Sequence, residues 1–119
     1  MVKLNEQAPT FSAQAMHNKQ FKEVSLDDYK GKFVVLFFYP ADYTFVCPTE
    51  LEDMADNYKT LTDMDVEVLS VSTDTHFVHL AWHNESPKIG KINFPMVADP
   101  THQISTAYNV LRDGQGVSD

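Results

Sequence analysis

Cys47 is the only cysteine among the 119 residues. It stands near the end of Phe33-Val34-Val35-Leu36-Phe37-Phe38-Tyr39-Pro40-Ala41-Asp42-Tyr43-Thr44-Phe45-Val46-Cys47-Pro48-Thr49-Glu50. That stretch starts as an apolar run, passes a proline-started loop, reaches the thiol and turns into a helical pattern. The thiolate is the reactive form of cysteine, and its pKa falls at a helix N-terminus, where unpaired N–H groups and the helix dipole favour an anion. Pro48 suits the first helical position, since its missing N–H costs nothing there, so Cys47 is expected at the N-cap. Thr44, three residues upstream, has a hydroxyl within reach of the sulfur or of a substrate oxygen. Pro40 would fix the loop and keep water from the charged sulfur. The chemistry this pattern suits is nucleophilic attack by a thiolate.

Two features oppose that reading. A free cysteine is often a small buried hydrophobe, although a core cysteine more commonly sits within a strand or on an apolar stripe than between a loop and a helix. Glu50 lies one turn from the thiol, and a carboxylate there raises the thiol pKa unless a cation sits between them. Arg112 is the only arginine, and it falls in a polar turn.

His76, His79 and His83 share one helical face, a geometry that can hold a metal. Three histidines need a fourth ligand or water, and Glu85 is off that face, so packed or solvated histidines and no metal site are expected.

The elements that must position Cys47 follow from the pattern around it. Pro9–Ala13 and Phe21–Val24 flank His17–Gln20 as a β-hairpin. Ser25-Leu26-Asp27-Asp28 opens a short helical turn closing near Gly31. Phe33–Tyr39 reads as a central strand covered on both faces. From Pro48 to Met64, Leu51, Met54, Ala55, Tyr58 and Leu61 form one helical stripe, with Glu52, Asp53, Asp56, Asn57 and Lys59 facing away. Asp65–Ser72 is a second inner strand. Thr73-Asp74-Thr75 is its exit loop and the candidate cap of a helix over His76–Glu85, with Phe77, Leu80 and Ala81 on one side. Asn93–Ala98 is a short strand and Thr101–Asn109 a short helix, with Ile104, Ala107 and Tyr108 inward. Asp113–Gly116 is a turn. Trp82 reads as packing, and Met16, Met54, Met64 and Met96 as core fillers. Strands alternating with helices give an α/β class with a parallel core.

The bulk numbers bound the rest. A chain of this length is expected to form a single domain over residues 1–119, and 43% hydrophobic with 12% aromatic residues is ordinary for a globular protein. Seventeen acids against nine bases give a net charge of −8, which disfavours nucleic acid and anionic membranes. Met1–Glu6 lacks a signal peptide's apolar core, and no apolar run approaches the ~20 residues of a membrane span. A cytoplasmic location, reducing enough to keep Cys47 free, is expected.

Phe38–Leu51 resembles the peroxidatic-cysteine segment of two-cysteine peroxiredoxins, most of all their bacterial alkyl hydroperoxide reductase branch. Val71–Phe77, Ala81-Trp82-His83 and Phe94–Pro100 resemble the same family, so the likeness covers essentially the whole chain. It implies a thioredoxin-like fold with an N-terminal hairpin, and reduction of hydrogen peroxide and organic hydroperoxides without metal, haem or flavin on this chain. Cys47 would attack the O–O bond and become a sulfenic acid, Thr44 would orient the peroxide, Pro40 would line the pocket, and Glu50 would hold the arginine that activates the thiolate. The family's arginine strand, resolving cysteine, last strands and last helix have no counterpart here. The chain is therefore expected to be an N-terminal portion, weak or inactive alone. The implied partners are a flavoprotein or thioredoxin-like disulfide reductase, and further copies of the chain in dimers or rings of dimers through Phe45, Val46, Phe77 and Val78. A non-catalytic thioredoxin-like assembly or chaperone-like module is the alternative; thiol–disulfide exchange is weakened by the absence of a Cys-x-x-Cys partner.

Overall fold

The computed structural model describes residues 4–40, 42 and 47–111, with Cys47 and Pro48 described by backbone alone. A five-stranded sheet carries the fold, in the order β2-β1-β5-β4-β3. β1 (Ser12–His17) and β2 (Gln20–Ser25) form the antiparallel hairpin. Asn18 and Lys19 both adopt positive φ, 52° and 65°, as a two-residue hairpin turn with the twist of its strands requires. The short helical turn is a 3-10 segment over Leu26–Tyr29, and the Ser25 N–H donates to Asp28 Oδ2 at 3.1 Å. Gly31, at φ 86°, supplies the left-handed residue that turns the chain into β3.

β3 (Phe33–Phe38), β4 (Val66–Ser72) and β5 (Met96–Ala98) run parallel. β4 is an inner strand as expected. β3 is not: among the described residues it pairs with β4 alone and forms the sheet edge, with Phe33 80% exposed. An apolar run tells a strand that can be buried from one that cannot, and leaves open which neighbours it has.

α1 (Cys47–Asp63) and α2 (His76–Glu85) share one face of the sheet, where Leu51 and Trp82 join Met16, Val68 and Met96 in a buried cluster. The predicted α1 stripe holds, with Met54, Ala55, Tyr58 and Leu61 against that core. On the other face Ala15, Val24, Leu69, Val71 and Val97 pack with Ile104 of α3 (Gln103–Ala107). Consecutive residues such as Val68 and Leu69 serve opposite cores, as the period of two dictates. Asp99 caps α3 by accepting the Ile104 and Ser105 N–H groups and the Ser105 hydroxyl.

Two side-chain expectations fail. In α2 the buried residues are His79, Trp82 and His83, while Phe77 is 63% exposed. Histidine can occupy the inner stripe because each ring finds an acceptor there. Met64 follows the end of α1 and is exposed, so it fills no core; Met16 and Met96 are buried as expected.

Candidate active site

Parallel pairing points the C-terminal ends of β3, β4 and β5 the same way, so the loops leaving them meet at one end of the sheet, where α/β proteins place their sites. The ladder runs past β3 through a bond from the Tyr39 N–H to the Val71 carbonyl, 3.1 Å. Pro40 follows, half-buried, then Asp42, then α1 beginning at Cys47. From β4 comes Asp74, then Thr75, whose hydroxyl caps α2 by accepting the Val78 N–H at 3.3 Å.

Asp42 is the hub. Its side chain is fully buried, as is that of His79 from α2, and His79 Nδ1 lies 2.6 Å from Asp42 Oδ2. The Tyr39 hydroxyl donates to Asp42 Oδ1 at 2.5 Å. His79 Nε2 lies 3.0 Å from the Val97 carbonyl of β5. Both ring nitrogens thus face acceptors. The Asp42 N–H donates to Asp74 Oδ2 at 2.6 Å, and the Ser72 hydroxyl donates to the same oxygen at 3.1 Å. Burial, with the Asp42 carboxylate next, holds the Tyr39 phenol well above its ordinary pKa, so it remains a donor. One buried network therefore ties the ends of β3, β4 and β5 and the start of α2 to the segment that leads to Cys47.

The sequence-predicted residues stand as follows. Cys47 opens α1, one position further into the helix than the expected N-cap, with Pro48 second; helix ends shift by a residue with small changes in the first turn. Glu50 is in the first turn and exposed. Pro40 is half-buried between β3 and Asp42. Thr44, Phe45, Val46, Arg112, the Asp113–Gly116 turn and the Cys47 side chain lie outside what is described. The histidine triad does not converge: His79 bonds Asp42 and Val97, and His83 Nε2 faces the Ile92 carbonyl at 3.0 Å. No cluster of metal-binding side chains occurs among the described residues.

Sequence reasoning named His79 only as a possible metal ligand and Asp74 only as part of an exit loop, and it did not join either to Asp42 or Tyr39. Asp42 and His79 are 37 positions apart, and the one local signal was an acid two residues after Pro40 in an otherwise apolar segment. A cavity of about 320 Å³ lies between Phe11–Gln14, His76, Ala98–Thr101 and α3, and none of Tyr39, Asp42, Asp74, His79, Pro40 and Glu50 lines it.

A parallel β3-β4-β5 core with an antiparallel hairpin beside it, helices on both faces and a cysteine at the start of the helix after β3 define a thioredoxin-like α/β protein. The chain belongs to the AhpC/TSA family, whose model matches residues 4–119. Among similar proteins, alkyl hydroperoxide reductase C of Salmonella typhimurium is 47% identical over 116 residues, covering 98% of this chain and 62% of that protein. The Bacillus subtilis alkyl hydroperoxide reductase C is 50% identical over 109 residues, covering 92% and 58%. The crystal structure of Enterococcus faecalis AhpC superposes with a TM-score of 0.93 at 45% identity, covering 96% of this chain and 68% of that one. Reduced Plasmodium vivax 2-Cys peroxiredoxin gives 0.89 at 39%, covering 95% and 72%. The chain thus spans about three fifths of the curated relatives it matches.

Proposed function

We propose that this chain carries the peroxide-reacting centre of a thiol-dependent hydroperoxide reductase. The observation that carries the reading is the placement of Cys47 at the first turn of α1, following a segment anchored by a buried network, in a member of the AhpC/TSA family. The Cys47 thiolate attacks one oxygen of R–O–O–H; the O–O bond breaks, an S–O bond forms, and the departing alkoxide (hydroxide from hydrogen peroxide) takes a proton to leave as alcohol or water. Sulfur is oxidised to a sulfenic acid and the peroxide is reduced. Thr44 orients the peroxide, Pro40 shields the sulfur, and Glu50 holds a cation that offsets its own charge.

Cys47 has no second cysteine in these 119 residues to resolve it. The sulfenic acid is returned to thiol by an external reductant, a flavoprotein or thioredoxin-like disulfide reductase in a reducing cytoplasm, and turnover by this chain without added thiol is weak. Self-association is part of the reading. Phe21, His76 and Phe77 form an edge-to-face cluster, the two phenylalanine centroids 5.2 Å apart, and Phe77 is 63% exposed. An exposed aromatic patch of this kind suits contact with a second dimer.

The test is one equivalent of hydrogen peroxide followed by a diketone that traps sulfenic acids. Labelling at Cys47 that disappears in Cys47→Ser is expected. An unlabelled, still-reduced Cys47 would rule the reading out and leave the non-catalytic assembly module.

A further inference from the structure

We propose that Asp74 is a positioning residue for Cys47: its carboxylate, braced by Ser72, grips the backbone amide of Asp42 and fixes where the cysteine segment departs from the sheet. The inference rests on the peroxidase reading only for its benefit to catalysis; the geometry stands without it.

Asp42 lies past Tyr39, the last described residue to bond to β4 by its N–H, and an amide N–H buried there must find another acceptor. Asp42 is buried, and its N–H finds a charged one, Asp74 Oδ2 at 2.6 Å. A carboxylate acceptor makes a shorter and stronger bond than a carbonyl does. That same oxygen receives the hydroxyl of Ser72, which is fully buried on β4, and the Asp74 N–H lies 3.4 Å from that hydroxyl. Asp74 is therefore oriented by the strand it follows and cannot turn away without breaking its own contacts. Asp42 is held independently through its side chain by Tyr39 and His79. The two holds differ in kind. The side chain alone leaves the peptide plane free to rotate, and the amide bond to Asp74 removes that freedom. Cys47 opens α1 five positions after Asp42, so the direction in which the chain leaves Asp42 bears on where the helix start comes to lie. Asp74 also immediately precedes Thr75, the cap of α2, so the anchor is part of a helix start that is itself fixed.

The experiment compares Asp74→Ala and Asp74→Asn in this chain, with Ser72→Ala as a milder variant. Amide exchange is read at Asp42, and the rate of Cys47 alkylation by iodoacetamide is read across pH. In Asp74→Ala the Asp42 amide should exchange about tenfold faster, the loss of one charge-assisted bond. The alkylation profile should shift to higher pH, slowing labelling near pH 6 by about threefold or more as the thiolate loses its fixed surroundings. Asp74→Asn keeps an acceptor oxygen and should restore both readouts to within about twofold. A merely structural role would lower the melting temperature and leave the alkylation profile of the folded protein unmoved, which overturns the proposal. Equal shifts in Asp74→Asn and Asp74→Ala overturn it too, because an acceptor oxygen at that position would then do nothing for the thiol. If Asp74→Ala does not fold, Ser72→Ala decides between the same two outcomes. None of these readouts uses peroxide. A chain that shows the expected shifts but fails to form a sulfenic acid refutes the peroxidase reading alone.

Discussion

Replacing His79 with alanine takes one partner from a pair whose side chains are both fully buried. Asp42 would keep the Tyr39 hydroxyl and lose its imidazole partner, and the Val97 carbonyl would lose its ring contact. Removing one partner of a buried carboxylate costs about 3–5 kcal/mol, because the carboxylate stays out of water without compensation. Domains of this size are stable by about 5–15 kcal/mol in total, so the loss is a large fraction of what holds the chain folded. At roughly 3–5 °C per kcal/mol for a chain of this length, the melting temperature should fall by about 10–20 °C. Urea denaturation at pH 7 followed by circular dichroism measures the loss directly. The same substitution in an Asp42→Asn background strands no charge and should cost only about 1–2 kcal/mol, giving a coupling of about 2 kcal/mol. A loss below about 1 kcal/mol in the single variant, or strict additivity in the double, would refute the buried pair.

Three further outcomes follow from other contacts. The Tyr58 hydroxyl donates to Glu67 Oε1 at 2.5 Å across the α1–β4 junction; burial first, then this carboxylate, raise the Tyr58 pKa. Tyr58→Phe should cost about 1–2 kcal/mol by denaturant titration while keeping the ring contact with Phe94. Thr75→Ala should cost about 1 kcal/mol through the lost α2 cap and Thr75→Ser only a few tenths, both read as shifts in denaturation midpoint. Burial, then the nearby Lys22, lower the His17 pKa from 6.5. The unfolded chain therefore takes up a proton first on acidification, so the His17 contribution is present above the unfolded value and is lost as pH falls below it. Denaturation at several pH values should show His17→Gln flattening that part of the profile.

Much of this architecture was legible because local rules sufficed. The α1 stripe from Leu51 to Leu61 has helical spacing and is buried on one side; Thr75 begins α2 where a capping residue was expected; Asn18-Lys19 turns the hairpin. What escaped the sequence depended on long-range pairing. Phe33–Phe38 reads as a strand whichever neighbours it has, so its edge position is invisible until β4 is placed beside it. His79 and His83 look like surface residues until Asp42, Val97 and Ile92 supply acceptors, and burying them turns Phe77 outward. That a helix would start at Cys47 was legible from the Pro48 that follows it. The anchors of that segment were not, since Asp42 meets Asp74 and His79 only after two further elements have folded onto the sheet.

The central claim, that Cys47 is a peroxide-reducing thiolate, is tested most directly by its rate constant with hydrogen peroxide near pH 6 beside that of free cysteine. An ordinary thiol of pKa ~8.5 is only about 0.3% ionised there, so a thiolate kept charged by the helix start gains about 300-fold from ionisation alone. The rate should be at least that much faster, with one oxygen atom added at Cys47 and no reaction in Cys47→Ser. A rate matching free cysteine would contradict it.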